Sequence, residues 1–496
     1  MLHGKIDDAI FTNTIKNLIK RIHDNTPIND SLYEQAAIYF KEQVEVDKQL
    51  AFATGQIEEA EKALNENTDA KKRSVLRQKE TKAQELLKNL KREQELKRQK
   101  RYNHAVKVAN EILNIVVSTS EKESNNNTAK LLGTIQLISP TQGSGIPEAN
   151  QKSKHLYKTV LTLKLLDALS KAKLITNAYV LKKYTEHQMW EGSKDPTKPK
   201  YSPFREEVQL PIVLAALFQD VGHYHQDAQR LIKGEDGSLD EFRALDKEDR
   251  TQLLKISYQQ ALRYTTFGLG IATYKGNSKE DRQAFYEMEQ EKLKFTRTLL
   301  KSAINPDTGI GNLLKVPQVY CSVILSTKQN YSYESLPRVK LVMDKGAQVG
   351  AYSKPVSDAL IDMLGVFPQG FGITYIPQDS DHQDLDRYEY ALVVGLYPDD
   401  IEVPVCRVAT RNLAFNSFGV NVIINKGHNL YFSAARKKLE RVSEERLEEI
   451  LRKLWSNYEQ RMHLDLIPKC WFPTEYFAYA RFQNIWNKPG DVMRIE

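Results

Sequence analysis

The sequence contains few of the residues that mark several protein classes. It has three cysteines in 496 residues, Cys321, Cys406 and Cys470, and they lie far apart. So sparse a set excludes a disulfide framework, and no Cys-x-x-Cys pair offers a zinc site. The longest apolar run, residues 212–218, is too short to span a membrane, and residues 1–13 lack the apolar core of a secretory signal. We therefore expect a cytoplasmic protein in a reducing compartment.

Common catalytic signatures are also missing. The sequence has no GxxxxGKS/T phosphate loop, no HExxH metal motif and no GxSxG nucleophile motif. A formal charge of +7 over this length is mild and does not indicate nucleic acid binding. The 41% of hydrophobic residues can form a sizeable core, which excludes wholesale disorder. The length predicts about three domains.

The first quarter of the chain is predicted to form a helical hairpin. Residues 33–64 and 69–117 contain no proline and are rich in Gln, Glu, Lys and Ala. Residues 65–69 between them have the composition of a turn and a helix N-cap. Residues 1–118 are therefore interpreted as an antiparallel, coiled-coil-like arm. The next stretch is rich in Ser, Asn, Pro and Gly, which predicts a flexible linker over residues 119–150.

The second helix of this arm carries a basic patch. Residues 88–101 hold seven basic side chains against Glu93 and Glu95. A solvated helix face is the ordinary interpretation, and a phosphate-contacting surface is the alternative. Without interleaved aromatic side chains for base stacking, nucleic acid is not the expected partner. We expect the patch to face an acidic protein partner instead. Its residues are Lys88, Lys91, Arg92, Lys97, Arg98, Lys100 and Arg101.

The composition changes again toward the C-terminus. Residues 366–430 contain β-rich segments separated by turn residues, and residues 431–496 are predicted to form a helix and an aromatic tail. So aromatic a tail must dock on its own body or on a partner. The predicted fold class is mainly α. It comprises the N-terminal hairpin, an all-α domain over residues 151–365, a small β-rich subdomain and a terminal helix.

One segment in the middle of the chain suggests a particular chemistry. The apolar residues 210–218 are followed by Gln219 and Asp220, then by Gly222 and His223. Polar groups at the end of a buried helix are costly unless they find partners. The segment resembles the HD-GYP branch of the HD phosphohydrolases, in which the helix ends in a His-Asp pair followed by Ile-Gly-Lys. Gln219 stands in place of the histidine, and His223 in place of the lysine.

Other landmarks of this family follow in the same order across residues 151–410. His155 lies near the start of a helix, where the family has its first histidine ligand. Residues 307–313 resemble the family's Asp-Gly-x-Gly segment. Residues 356–370 are the best match, because they resemble the closing helix and the Gly-x-Tyr-Pro-x-Gly turn, and residues 388–400 are similar to the short β tail. The resemblance implies a degenerate HD-GYP-like domain.

The departures from the family pattern concern its metal ligands. Ser257 replaces a histidine, the paired histidines are missing near Ser302, and the aspartate is missing near Ser326. Only His155 and Asp220 remain as candidate metal ligands. The family uses two or three iron or manganese ions to hydrolyse cyclic dinucleotides, chiefly cyclic di-GMP, and two ligands rarely hold a catalytic ion. We therefore expect no cofactor and no working catalytic set, with Gln219, Asp220 and His223 as a remnant motif.

Three functions compete on these grounds. The favoured one is a catalytically inactive bacterial signalling or scaffold protein that can bind a cyclic dinucleotide such as cyclic di-GMP. The alternative is an active cyclic di-GMP phosphodiesterase with iron or manganese rebuilt on His155, Asp220 and His223. The third is an unrelated helical scaffold. In the favoured case Asp220 is structural and bonds to a neighbouring helix, for example to His155. We also expect a protein partner or a second copy to bind through the N-terminal helices.

Overall fold

The computed structural model describes residues 6–118, 120–186, 202–304, 306–454, 465–486 and 492–495. Over these ranges the chain is mainly α-helical, with a small β subdomain near the C-terminus, which confirms the predicted fold class. None of the helices in these ranges combines the length and the apolar character that a bilayer crossing requires.

Sixteen α-helices lie in the described ranges, linked in places by short 3-10 and π-helical turns. They are α1 (Ile10–Ile22), α2 (Leu32–Glu66), α3 (Ala70–Val116), α4 (Glu121–Ile138), α5 (Ile146–Lys171), α6 (Ala178–Glu186), α7 (Leu210–Phe218), α8 (Gln226–Lys233), α9 (Lys247–Arg263), α10 (Lys279–Ser302), α11 (Asn312–Ile324), α12 (Val339–Gln348), α13 (Lys354–Leu364), α14 (Ser433–Leu439), α15 (Glu444–Leu454) and α16 (Thr474–Phe477).

The β subdomain is built on one five-stranded sheet. Its strand order is β1-β2-β3-β6-β7, in which neighbours are antiparallel except that β7 runs parallel to β6. Strands β4 and β5 form a separate two-stranded ribbon. The strands are β1 (Gly372–Tyr375), β2 (Glu389–Val393), β3 (Val405–Val408), β4 (Thr410–Arg411), β5 (Ala414–Phe415), β6 (Asn421–Ile424) and β7 (Val492–Ile495).

Helices α2 and α3 form the arm. Ser31 starts α2 through a capping box with Glu34, and the Asp69 side chain accepts from the first amides of α3. At 1.5 Å per residue the helices are about 50 and 70 Å long. In residues 44–95, which we call the arm tip, the few buried side chains are mostly alanines such as Ala53 and Ala60. The two helices therefore pair closely along a narrow seam.

The root of the arm, residues 32–43 and 96–116, belongs to the main hydrophobic core. Tyr33 of α2 and Ile112 of α3 are fully buried in the same cluster as Leu161 of α5. The prediction of a separate arm on a loose tether is therefore wrong for the root. The spacing of apolar residues shows that a helix has an apolar face, but it does not show which other part of the chain that face packs against.

The prediction of a flexible linker over residues 119–150 is also wrong. Helix α4 occupies most of it, and the Ser120 side chain caps the helix by accepting from the Glu123 amide. Leu131, Leu132 and Ile135 are fully buried. The Ser- and Asn-rich start has the composition of a loop, but Ser120 at that place is an N-cap. Burial of the apolar second half stabilises the helix.

The aromatic C-terminal tail docks on its own chain. The Trp471 ring stacks on Tyr390 of β2 with the centroids 4.6 Å apart, and its Nε1 donates to the Ala391 carbonyl at 2.9 Å. Tyr476 stacks on Phe482 at 4.4 Å. These rings form a second hydrophobic core on the sheet. The expected boundary at residue 430 therefore does not separate two units.

Candidate functional site

A cleft of about 200 Å³ lies where the ends of several helices meet. Lys154 and His155 reach it from α5, and Asp220 follows the end of α7. His223 comes from the 3-10 turn after α7, and Arg243 comes from the loop before α9. The cleft therefore combines a carboxylate with several cationic or imidazole side chains, close to the packed core.

Gly222 allows the 3-10 turn to approach α9. A Cβ atom at this position would lie 2.1 Å from the Ser257 carbonyl oxygen, which a side chain cannot tolerate. The approach brings the Ser257 hydroxyl to 3.2 Å from His223 Nδ1. The same Nδ1 lies 2.8 Å from the Asp220 carbonyl oxygen. The His223 ring is therefore fixed on one edge by the backbone and a serine.

Asp220 is held by α5 and α11. One carboxylate oxygen forms an ion pair with Lys158 Nζ, and the other accepts from Gln318 Nε2 at 2.8 Å. Burial alone would raise the pKa of Asp220, but the charge of Lys158, with that of Lys154, lowers it below its usual range. The carboxylate is therefore ionised. The expected bond to a neighbouring helix exists, but its partner is Lys158 and not His155.

His155 is bonded to the arm. Its Nδ1 lies 2.9 Å from the Tyr33 hydroxyl, which also donates to the Leu217 carbonyl at 2.7 Å. Burial, together with the charge of Lys158, lowers the pKa of His155 well below its ordinary value. Its second nitrogen, Nε2, is buried and has no hydrogen-bond partner within the described part of the chain. The His155 imidazole is therefore neutral, and its Nε2 atom makes no hydrogen bond within the described part of the chain.

This histidine belongs to a cluster of four aromatic rings at the root of the arm. Tyr33 and His155 have their centroids 4.2 Å apart, and His23 of α1 lies 5.1 Å from His155. Tyr224 packs edge-on against Tyr33 at 5.2 Å. Burial is the main cause that lowers the pKa of His23 to about 4. Residues of α1 and α2 therefore pack against the cleft-lining His155 from the side of the arm root.

Three cationic side chains, Lys154, Lys233 and Arg243, line the cleft together with the carboxylates of Asp220 and Glu241. Lys154 is bonded to Gln151, and Lys233 pairs with Glu241 at 3.3 Å. Arg243 donates from Nη2 to a backbone carbonyl at 2.7 Å. Its Nε is buried without a partner among the described residues. The cleft thus contains one buried donor, Arg243 Nε, and one buried acceptor, His155 Nε2, that the described chain leaves unused.

The structure brings some of the sequence-predicted residues together and leaves others apart. His155, Asp220, His223 and Ser257 lie in or next to the cleft. Gln219 does not line it, and its buried Oε1 lacks a partner in the described ranges. Of the positions of the missing ligands, Ser302 does not line the cleft, whereas Ser326 directly precedes Thr327, which does. Ser302 donates to the Thr298 carbonyl within α10 at 2.6 Å, and the Ser326 carbonyl accepts from Asn150 at 2.8 Å.

The basic patch lies on the arm and not in the cleft. Lys97 pairs with Glu42 at 3.1 Å, and Arg98 and Arg101 donate to backbone carbonyls of residues 268–271. These three face their own chain, so the expectation of an acidic partner is wrong for them. The exposed remainder is Lys88, Lys91, Arg92 and Lys100.

Sequence reasoning missed three residues that shape the cleft. Lys158 lies inside the apolar run of α5, where a charge needs a partner, so its position was a usable signal for a pair with Asp220. Lys154 precedes it by one helical turn and shares its face. Tyr33 offered no signal, because its contact with His155 spans 122 residues.

A larger groove of about 540 Å³ lies between α12 and the β subdomain, but it is a weaker candidate. Its Glu334 pairs with Lys469 at 2.6 Å, and its Glu402 pairs with Lys426. Its Arg436 donates to the Leu430 carbonyl at 2.7 Å. Its two carboxylates are already paired within the chain, whereas the smaller cleft has unused buried polar atoms.

No family model, no curated protein and no solved structure matches this chain. The iron or manganese that the HD-GYP resemblance implies does not fit the cleft. Both Asp220 oxygens are engaged, one by an ammonium group, and Lys154 adds a second positive charge nearby. A divalent cation at Asp220 would have to displace Lys158 into apolar surroundings, which is costly.

Proposed function

We propose that this chain is a catalytically inactive binding protein whose cleft takes the phosphate and sugar of a nucleotide. The ion pair between Asp220 and Lys158 carries the proposal. In metal-dependent phosphodiesterases a carboxylate at such a place serves the metal. Here the Lys158 ammonium group supplies the positive charge in place of a metal ion. Asp220 therefore stabilises the fold instead of binding a metal, and we expect no metal-dependent hydrolysis.

An anionic ligand is favoured by the remaining charges. Lys154 and Arg243 line the cleft, and Arg243 Nε is a buried donor without a partner in the described chain, whereas the charge of Lys233 is balanced by Glu241. A guanidinium donor and nearby ammonium groups are suited to phosphate oxygens. A volume of about 200 Å³ suits a phosphate with its sugar better than a whole dinucleotide. Cyclic di-GMP, which the HD-GYP resemblance suggests, would place one of its nucleotide units there.

The alternative of an active phosphodiesterase finds less support. It requires a metal-generated hydroxide and a free proton donor. His223 would be that donor, but its Nδ1 is bonded to the Asp220 carbonyl, and burial lowers the pKa of His223 although Asp220 partly opposes this. A neutral imidazole of this kind is a poor acid at neutral pH.

We propose further that the arm tip mediates assembly, most simply with a second copy of the chain. Its exposed apolar side chains include Phe52, Val75 and Val44, which are 62%, 54% and 51% exposed. Acidic residues predominate on the outer half of α2 and basic residues on α3, so two arms can pair with opposite charges facing. Light scattering of the full-length protein tests this, since a monomer at micromolar concentration would contradict it.

Calorimetric titration of cyclic di-GMP into the full-length protein tests the binding proposal. Arg243→Met should weaken binding about tenfold or more, because a charge-assisted hydrogen bond is lost. Arg230→Met is the matched control, since Arg230 is 58% exposed on α8 and does not line the cleft. Failure of the wild-type protein to bind, or equal loss in both variants, would contradict the proposal.

A further inference from the structure

The hydrogen bonds of Tyr33 determine which nitrogen of His155 carries a proton. A phenol has one proton, and a carbonyl oxygen can only accept. The Tyr33 hydroxyl lies 2.7 Å from the Leu217 carbonyl oxygen, so its proton points there. Toward His155 Nδ1, 2.9 Å away, the Tyr33 oxygen must therefore accept. It follows that Nδ1 of His155 carries the proton.

The other nitrogen of His155 is therefore a free acceptor. A buried imidazole is neutral, so a proton on Nδ1 leaves a lone pair on Nε2. The His155 side chain is 1% exposed and lines the cleft, and Nε2 has no partner in the described ranges. A buried acceptor without a partner costs about 1–3 kcal/mol. A donor that enters the cleft would remove this penalty.

His223 is fixed in the same tautomer by the same logic. Its Nδ1 lies 2.8 Å from the Asp220 carbonyl oxygen, which can only accept, so Nδ1 carries the proton. His223 also lines the cleft. Two imidazoles of the cleft lining therefore offer Nε2 as an acceptor, and Arg243, which also lines the cleft, offers Nε as a donor.

We infer that the cleft selects a phosphorylated sugar or nucleotide with a free sugar hydroxyl, which donates a hydrogen bond to His155 Nε2 while its phosphate accepts one from Arg243 Nε. This inference rests on the proposed function and names the part of the ligand that the proposal leaves open. A phosphate alone satisfies Arg243 but not His155. Tyr33, which does not touch the ligand, is a positioning residue that holds His155 in the accepting tautomer.

Nitrogen NMR of the full-length protein labelled with ¹⁵N-histidine tests the tautomer without any ligand. The His155 signals are assigned by comparison with His155→Asn. Correlation patterns should show a protonated Nδ1 and an unprotonated Nε2 at neutral pH. Tyr33→Phe removes the acceptor of the Nδ1 proton and should shift the population toward the Nε2-protonated form. A wild-type His155 protonated on Nε2 would overturn the inference.

The ligand is tested with a matched pair of probes, GMP and 2′,3′-dideoxy-GMP. GMP should bind about tenfold more tightly, the effect of one hydrogen bond to an otherwise unpaired buried group, and should shift the His155 Nε2 resonance. Arg243→Met should weaken both probes equally, whereas Tyr33→Phe should reduce the preference for GMP. Equal affinity of the two probes for the wild type would overturn this inference alone. Binding of neither probe would overturn the proposed function and the inference with it, even if His155 has the expected tautomer.

Discussion

The ion pair between Lys158 and Asp220 lies between two apolar helices. The lysine side chain is 3% exposed and the aspartate side chain 15% exposed. Desolvation of each ion costs several kcal/mol, so the pair is tolerable only while both partners are present. The same ion pair therefore affects both the stability of the fold and the ability of Asp220 to bind a metal.

Removal of one partner should therefore be strongly destabilising. We expect Lys158→Met and Asp220→Asn each to lower the free energy of unfolding by about 3–5 kcal/mol, and the double variant by much less than the sum. Urea denaturation followed by circular dichroism measures this. Lys354→Met is the control, because its ion pair with Asp358 is exposed and should contribute nothing measurable. Additive losses in the double variant would contradict the coupling.

The buried histidines predict acid sensitivity. Burial lowers the pKa of His23 to about 4, below its value of 6.5 in the unfolded chain. Between these values the unfolded state binds the additional proton, so stability must fall as the pH falls from 6.5 to 4. The slope is at most about 1.4 kcal/mol per pH unit for each such histidine.

Melting temperatures measured from pH 7.5 to 4.5 test this linkage. His23→Gln should flatten the pH dependence, because the group that titrates only in the unfolded state is gone. His382→Asn is the control, since His382 is exposed in a loop, and it should leave the slope unchanged. An unchanged slope in His23→Gln would show that His23 titrates alike in both states.

At the scale of elements, the arm root is fastened to the π-helical turn at residues 264–269. Arg101 donates from Nε to the Gly268 carbonyl at 2.9 Å, and its guanidinium lies 5.0 Å from the Tyr39 ring centroid. Arg98 donates to the Ile271 carbonyl at 2.7 Å. Two arginines thus satisfy carbonyls that the irregular turn leaves without helical partners.

Arg101→Met should lower the free energy of unfolding by about 1–3 kcal/mol, because a buried carbonyl loses its donor. Arg92→Met, in the same basic patch but exposed, should leave the urea midpoint unchanged. Equal behaviour of the two variants would show that the patch is one solvated surface, as the sequence alone favoured.

Helix limits were predictable where local signals dominate. The two arm helices were expected at residues 33–64 and 69–117 and are observed at Leu32–Glu66 and Ala70–Val116. Proline-free sequence and an N-cap are sufficient for this. Helix α4 was missed because its polar start resembles a loop, and only the core that buries Leu131 and Leu132 decides otherwise.

At the scale of the whole molecule, the site depends on contacts between distant segments. The order of motifs along the chain was sufficient to select His155, Asp220 and His223, which the fold brings to one cleft. It did not show that Lys158 neutralises Asp220, although a lysine inside the apolar run of α5 signals that a partner is needed. It could not show that Tyr33 orients His155, because that contact depends on how distant helices pack and no local pattern encodes it.

The arm root and the arm tip should respond differently to deletion. Replacement of residues 44–95 by a short glycine-rich turn should leave the melting temperature nearly unchanged and abolish self-association. Deletion of residues 1–118 should prevent folding, since it removes Tyr33, Ile112 and other core side chains. Calorimetry and light scattering measure both effects. A folded, cooperative protein without residues 1–118 would contradict the shared core.

The central claim is that the cleft binds a nucleotide without metal and without turnover. The most direct test is a crystal structure of the full-length protein grown with cyclic di-GMP and Mn²⁺. We predict an intact nucleotide with a phosphate at Arg243 and Lys154, and Asp220 still paired with Lys158. Manganese coordinated by Asp220, or hydrolysed nucleotide in the cleft, would contradict the account.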